Sequence, residues 1–167
     1  YFLKHGVMMP EDGIVQLRPF DAILLGTMGA PGVPDHVSLW GLLIPIRRRF
    51  DQYVHVRPVR RLPGIASPLA GCTAKEIDFV VIHDTEGEHS RADSRPHPDT
   101  ERDAVVQESI FTRVGVDRVQ RYAFELARTR ARKQVTSATK SNGIIRSMPF
   151  WDRRFWAIAA EHPDIKT

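Results

Sequence analysis

The chain of 167 residues contains a single cysteine, Cys72, and no long apolar run. One cysteine excludes an intramolecular disulfide and fits a reducing compartment. No apolar stretch approaches the roughly 18 residues that a membrane helix needs. The first 13 residues reach charge and proline too early for a signal peptide. These absences predict a cytoplasmic protein with no membrane partner.

The sequence also lacks an initiating methionine and a helix stop signal at its end. It begins at Tyr1 and finishes on DIKT, residues 164–167. A chain of this length can bury a core and form one domain or a domain and a half. We therefore expect a piece of a longer protein.

The net charge of +4 and the pI of 9.6 raise the question of a nucleic-acid partner. The basic residues fall in two local clusters, RRR at 47–49 and ARTRARK at 127–133. Neither cluster is interleaved with aromatic residues, and no nucleic-acid-binding module surrounds them. The second cluster is more typical of a solvated helix end that complements the helix dipole. We expect no nucleic-acid partner.

Apolar strands alternate with amphipathic stretches, which favours an α/β fold. The segment 77–82 is apolar on both faces and is predicted to be a central, doubly covered strand, whereas 53–59 alternates like a half-buried strand. Further strands are predicted at 21–26, 105–112 and 134–139, and helices at 38–50, 115–132 and 149–162. The predicted buried helix faces are Trp40, Leu43, Ile44 and Ile46; Val116, Val119, Ala123, Leu126 and Ala127; and Phe150, Phe155, Ile158 and Ala159.

The stretch VVIHDTEGEHS, residues 80–90, gathers titratable side chains directly after an apolar run. Three interpretations arise: a metal site, a catalytic acid/base set, or a solvated polar loop. His, Asp and Glu are all zinc ligands, but His83 and His89 stand six residues apart, which matches no zinc signature. The polar loop is the interpretation that the spacing favours.

Two other groups of residues have side chains suited to substrate binding or proton transfer. Arg47 and Arg57 flank a helix-to-strand turn, and paired guanidinium donors match the two carboxylates of a small diacid. Lys140 follows a predicted strand and opens a turn, where α/β folds expose catalytic groups. A partly desolvated lysine can exchange protons near neutral pH. Surface arginines and a solvated lysine remain the alternatives.

Four stretches in the same order resemble the decarboxylating β-hydroxyacid dehydrogenases, the group of isopropylmalate, isocitrate, tartrate and D-malate dehydrogenases. They are PIRRRFDQYVHVRPVR (45–60), DFVVIHDTEGEHS (78–90), VVQESIFTRVGVDRVQRYAFELAR (105–128) and TSATKSNGI (136–144). Within the group, PGVPDHVSLWGLLIPIRR (31–48), FDQY (50–53) and SMPFWD (147–152) look most like the tartrate and D-malate branch.

The resemblance implies an isopropylmalate dehydrogenase-like α/β fold, of which residues 1–167 form a partial domain. This fragment would contain the small substrate-side domain and part of the large domain. The early strand-helix unit and the C-terminal NAD-binding part would be absent. The implied activity is NAD-dependent oxidation and decarboxylation of a 2-hydroxy dicarboxylate such as tartrate or D-malate, assisted by Mg²⁺ or Mn²⁺. A homodimer is implied, with contacts through the polar arm near 90–112 and the last helix.

The resemblance also assigns roles to single residues. Arg47 and Arg57 match the two arginines that clamp substrate carboxylates. Lys140 matches the lysine that transfers a proton at the substrate hydroxyl, and Asn142 the asparagine near the nicotinamide. The metal-binding aspartates have no counterpart in this sequence, so no metal ligand is assigned.

The chain departs from the family pattern in the stretch 80–90. Ile82 stands where a third substrate arginine belongs, His83 replaces a glutamate, and Asp84 replaces an asparagine. His89 replaces the tyrosine expected to protonate the enol intermediate, although imidazole also titrates near neutral pH. These changes keep a second hypothesis open, in which the chain is a catalytically inactive remnant that at most associates with an intact paralogue.

Overall fold

The computed structural model describes residues 1–73, 76–85 and 108–167, and the backbone alone of residues 92–93 and 106–107. These residues form two compact units, Tyr1–Gln52 and Tyr53–Thr167. No helix among them is long and apolar enough to span a membrane. The proposed catalytic lysine and most of the buried core belong to the second unit.

The first unit is helical. Its elements are α1 (Phe2–His5), α2 (Gly13–Leu17), α3 (Asp35–Ser38), a π-helical turn (Leu39–Leu43) and α4 (Ile44–Arg49). The predicted helix at 38–50 is thus confirmed and begins three residues earlier. Its π turn ends two residues before Pro45, whose ring lacks an N–H and crowds the carbonyl four residues back.

The core of the first unit is small. Ile44 and Ile46 are buried as predicted, but Trp40 is 45% exposed and has the guanidinium of Arg48 5.7 Å from its ring centroid. Gly41 allows a close approach, because a Cβ there would lie 2.8 Å from Cγ of Met8. The predicted apolar face is therefore narrower than its periodicity indicated.

The predicted strand at 21–26 is wrong. These residues form no regular element, and the side chain of Leu24 is fully exposed. A strand is stable only when its backbone groups pair with a neighbour. Within the described residues, no segment pairs with 21–26.

The sheet of the second unit consists of β1 (Val54–Arg60) and β2 (Asp78–Asp84), paired antiparallel from Val54 opposite Asp84 to Arg60 opposite Asp78. Both strands were predicted. The prediction that the second strand is covered on both faces is wrong, because the side chains of Phe79 and Val81 remain 46% and 40% exposed. In the described part of the chain β2 pairs with β1 alone.

A second, very short antiparallel pair is formed by β3 (Ala92–Asp93) and β4 (Val106–Gln107). The strand predicted at 105–112 is therefore limited to two residues, since 108–112 has no regular structure. Most of the predicted polar arm lies outside the described residues.

Helix α5 (Arg113–Arg128) confirms the predicted helix at 115–132, although it ends earlier. It begins where the Thr112 hydroxyl accepts a hydrogen bond from the Gly115 N–H at 3.0 Å, which caps the helix. Val116, Val119 and Ala127 are buried as predicted. Phe124 is fully buried as well, a position that the predicted face had left out.

Helix α6 (Ser147–Ala159) confirms the last predicted helix and packs against α5. Of its predicted face, Phe155 and Ile158 are buried, whereas Phe150 and Ala159 are half-buried. The core between the two helices is Phe124, Ala127, Phe155, Ile158 and Ile165. Arg154 of α6 donates two hydrogen bonds to Asp117 of α5, at 2.6 and 2.9 Å.

The strand predicted at 134–139 does not form a ladder. It makes one parallel bridge, between Gln134 and Lys166, and the Val135 N–H donates to the Lys166 carbonyl at 2.9 Å. Beyond that bridge its backbone has no strand neighbour in the described residues. The segment is extended but is not part of a sheet.

The basic cluster at 127–133 is partly engaged in ion pairs. Arg128 contacts the carboxylates of Glu125 and Asp164 at 3.0 and 3.3 Å, and Arg130 contacts Asp78 at 2.7 Å. Two of its charges are therefore paired within the unit.

Candidate functional site

Lys140 lies at the start of a tight turn after the extended segment 134–139. The N–H groups of Gly143 and Ile144 donate to its carbonyl at 3.0 and 2.8 Å. A Cβ on Gly143 would lie 3.6 Å from Cγ and Cε of Lys140, so the lysine stem lies along the turn. The side chains of Lys140 and Asn142 are both exposed. The described residues therefore present the amine to solvent and do not desolvate it.

The two residues that flank Lys140 are both held by α6. The Thr139 hydroxyl donates to Oδ1 of Asp152 at 3.0 Å, and the Ser141 hydroxyl donates to Oδ2 of the same carboxylate. The two hydroxyl oxygens lie 2.8 Å apart. The turn is thus fixed on both sides of the lysine by one side chain.

The segment that leads to Lys140 is fixed as well. Nε1 of Trp151 donates to the Ser137 hydroxyl at 3.1 Å, and the Trp151 carbonyl accepts from Nε2 of Gln120 at 3.1 Å. Gln120 is buried on α5. A chain of hydrogen bonds therefore connects α5, α6 and the segment before the lysine.

Arg57 lies in β1 with an exposed side chain. Its Nη2 is 3.2 Å from Nδ1 of His55. Because a guanidinium can only donate, Nδ1 of His55 is the acceptor and the ring proton is on Nε2. His83 is the cross-strand partner of His55, and the two rings meet edge to face with centroids 6.5 Å apart. One face of the sheet therefore carries one guanidinium and two imidazoles.

The register also locates Ile82, the position where the resemblance calls for an arginine. Ile82 pairs with Val56, whereas Arg57 pairs with Val81. Since side chains alternate along a strand, Ile82 points away from the face that carries Arg57. His83, the partner of His55, lies on the same face as Arg57.

Arg47 belongs to the first unit and lies in the last turn of α4, next to Arg48 and Arg49. Three cations at a helix C-terminus are also stabilised by the helix dipole. Its half-buried side chain has interactions within the structure. Arg57, His55 and Lys140 all belong to the second unit.

The described residues contain no group of three His, Cys, Asp or Glu side chains that could hold a metal ion. His83 and Asp84 end β2, but the other members of the predicted cluster, Glu86, Glu88 and His89, lie outside the described residues. The interpretation of the stretch 80–90 as a polar loop therefore stays a prediction.

A cavity of about 610 Å³ lies beside β2. One wall is the length of the strand from Asp78 to His83, another is α5, and a third is the segment 134–138. Ala123 and Leu126, which were predicted to be core residues, are half-buried and line this cavity. It borders the site, since His83 and Ala138 belong to its lining.

Sequence reasoning missed Asp152, Thr139 and Ser141. The hydroxyls on both sides of Lys140 were a visible signal, because short polar side chains next to a functional group often fix a turn. Asp152 gave no such signal, since it follows Thr139 by 13 residues on a separate helix.

Known proteins resemble this chain over nearly its whole length. The family model for isocitrate/isopropylmalate dehydrogenases matches residues 1–167. The chain is 55% identical over 99% of its length to a decarboxylating D-malate dehydrogenase of Escherichia coli (strain K12), and 54% identical over 99% to a tartrate dehydrogenase/decarboxylase of Pseudomonas putida. It covers 46% of each, so the chain spans about half the length of the curated relatives it matches.

The fold has a counterpart among solved structures. An isocitrate dehydrogenase from Methylococcus capsulatus matches with a TM-score of 0.74 at 24% identity, over 99% of this chain and 47% of that chain. This likeness confirms the predicted fold class, and the family model confirms the resemblance seen in the four sequence stretches. The chain belongs to the isocitrate/isopropylmalate dehydrogenase family.

Proposed function

We propose that the chain is part of a dehydrogenase that oxidises and decarboxylates a 2-hydroxy dicarboxylate such as D-malate or tartrate. One observation carries the proposal: identities of 55% and 54%, over 99% of the chain, to two relatives whose names state these activities. The overall chemistry turns the secondary hydroxyl into a ketone and releases the carboxylate β to that ketone as CO₂.

Lys140 is proposed as the group that moves a proton at the substrate hydroxyl. Its exposed amine extends from a turn whose backbone is fixed on both sides, and a positioned proton-transfer group accelerates a reaction by about 10²- to 10⁴-fold. Asn142, two residues further in the same turn, is proposed to lie near the nicotinamide of NAD.

Arg47 and Arg57 are proposed to bind the two substrate carboxylates. Arg57 is exposed on the sheet face that also carries His55 and His83. Both imidazoles can donate a hydrogen bond to a carboxylate. They would thereby add hydrogen-bond donors beside Arg57, whereas position 82 lies on the opposite face of the sheet.

NAD and Mg²⁺ or Mn²⁺ are the proposed cofactors, in keeping with the family resemblance. The described residues do not fit the metal, since they hold no cluster of three candidate ligands, and the sequence contains no GxGxxG loop for the dinucleotide. No step is therefore assigned to either group. A homodimer, a cytoplasmic location and the absence of a nucleic-acid partner remain predictions from the sequence.

The test is NADH formation by the whole protein with D-malate, and separately with tartrate, in the presence of Mn²⁺. We expect turnover by the wild type and a loss of about 10²- to 10⁴-fold in kcat for Lys140→Met. Lys166→Met, which removes another exposed amine of the same unit, should retain the wild-type rate. Absence of NADH formation with both acids contradicts the proposal.

The second candidate is an inactive remnant that associates with an intact paralogue. Ile82, which cannot bind a carboxylate, favours it. This candidate predicts no turnover by the whole protein, together with a stable complex when it is co-expressed with an active relative. If the double substitution Ile82→Arg/His89→Tyr restores turnover, these two positions alone account for the loss of activity.

A further inference from the structure

We infer that Asp152 is the positioning residue for Lys140, and that it acts by binding the hydroxyls of both neighbours of the lysine. The inference rests on the proposed role of Lys140 and extends it to Asp152, which acts through the neighbours of the lysine. Its foundation is the pair of contacts from Thr139 to Oδ1 and from Ser141 to Oδ2 of Asp152.

A carboxylate satisfies this geometry with both of its oxygens. An ionised aspartate contributes two acceptor oxygens and no proton, so each hydroxyl gives its single proton to one of them. The two hydroxyl oxygens are drawn to within 2.8 Å of each other as a result. Residues 139 and 141 thus bind the same group, and the Cα of residue 140 is fixed between them.

Residues close to Asp152 in α6 hold this helix against the rest of the unit. Trp151 is hydrogen-bonded to Ser137 and to buried Gln120. Arg154 makes a two-pronged contact with Asp117 on α5, and Phe155 is buried in the core. Asp152 therefore holds the turn in a fixed position relative to the core between α5 and α6.

Lys140 is exposed and long, so without this anchor its amine would sample a wider volume. Displacement of a catalytic group by about 1 Å can cost about 10²-fold in rate. Loss of the anchor should reduce kcat by about 10- to 100-fold and leave KM within about threefold, since the carboxylate-binding arginines lie on other elements.

Asparagine is the informative conservative variant. Its amide keeps one acceptor oxygen for Thr139 and offers an N–H to the Ser141 oxygen, whose proton can then go to Thr139. Asp152→Asn can therefore maintain a closed network without the negative charge. Positioning by hydrogen bonds predicts that Asp152→Asn retains most of the activity that Asp152→Ala loses.

The experiment compares Asp152→Ala, Asp152→Asn and the double variant Thr139→Ala/Ser141→Ala in the whole protein. The matched control is Asp164→Ala, which removes an exposed aspartate that pairs with Arg128 instead. For each variant, kcat and KM are measured together with amide hydrogen exchange of peptides that cover residues 139–144. The exchange measurement needs no enzymatic activity.

The expected result is faster exchange across 139–144 and a lower kcat in Asp152→Ala and in the double variant, with recovery in Asp152→Asn and no change in Asp164→Ala. Unchanged exchange in Asp152→Ala overturns the anchor. Faster exchange with an unchanged kcat overturns the positioning role. A wild-type protein without turnover, whose exchange still depends on Asp152, overturns the proposed function while it supports the anchor.

Discussion

Strand register determines which side chains share a face of the sheet. Arg57, His55 and His83 are an example. The sequence places them on two strands, and the pairing of His55 with His83 brings them to one face. Ile82, next to His83, falls on the other face by the same alternation. The loss of an arginine at position 82 therefore does not remove a charge from the face that carries Arg57.

At this scale we predict that Arg57→Gln raises the KM for the dicarboxylate by about 10- to 100-fold with a smaller effect on kcat, because a charge-assisted hydrogen bond is lost. Arg60→Gln is the control, since Arg60 lies on the same strand but on the opposite face. Steady-state kinetics of the whole protein measure both. Equal KM values for the two variants would remove Arg57 from the substrate site.

Among the elements, α5 and α6 are connected by charge as well as by the apolar core. Asp117 and Arg154 are both about four-fifths buried, with side-chain exposures of 18% and 19%. The hydrogen bond from Arg154 lowers the pKa of Asp117 below its ordinary value of 3.8, although burial acts in the opposite direction. The helix pair therefore depends on the ionised form of this carboxyl.

This dependence predicts the pH response of the helix pair. A carboxyl whose pKa is lower in the folded state contributes stability that is present above the unfolded pKa and is lost as pH falls through the folded value. Stability should therefore decline below about pH 4, and Asp117→Asn should reduce stability at pH 7 and flatten the decline.

Urea unfolding of the whole protein between neutral and acid pH measures this effect. Asp21→Asn, at an exposed position of the irregular segment in the first unit, is the matched substitution and should keep the wild-type pH response. An Asp117→Asn variant with the wild-type decline would show that this ion pair does not govern the acid sensitivity.

At the scale of the whole molecule, the described residues form a cavity of about 610 Å³ beside β2. In the described residues that strand is paired on one side only, and Ala123 and Leu126 of α5 line the space next to it. An unpaired strand edge beside apolar surface promotes association with other chains.

We predict that the isolated chain of 167 residues binds an apolar fluorescent dye such as anilinonaphthalene sulfonate more strongly than the whole protein does. The reason is that additional chain can cover the apolar surface beside β2. Dye fluorescence at equal molar concentration measures the difference. Ala123→Glu in the isolated chain is the specific control, because a carboxylate in the cavity wall should reduce dye binding if this cavity is the site.

Elements whose signal is local could be predicted from the amino-acid sequence. The 3.6-residue periodicity of α5 and α6 located both helices and most of their buried positions, since a helix satisfies its backbone hydrogen bonds internally. The motifs around Arg57 and Lys140 also indicated the family without any contact information.

Strand formation and the contacts around Lys140 could not be predicted, because both depend on partners that are distant along the chain. Segments 21–26 and 134–139 have the composition of strands but form none, because a strand requires a neighbour to bind its N–H and C=O groups. The face on which Ile82 lies depends on register, and the support of Lys140 depends on Asp152, which reaches the turn from another helix. Such contacts join residues that are remote along the chain, and neither periodicity nor motif spacing contains them.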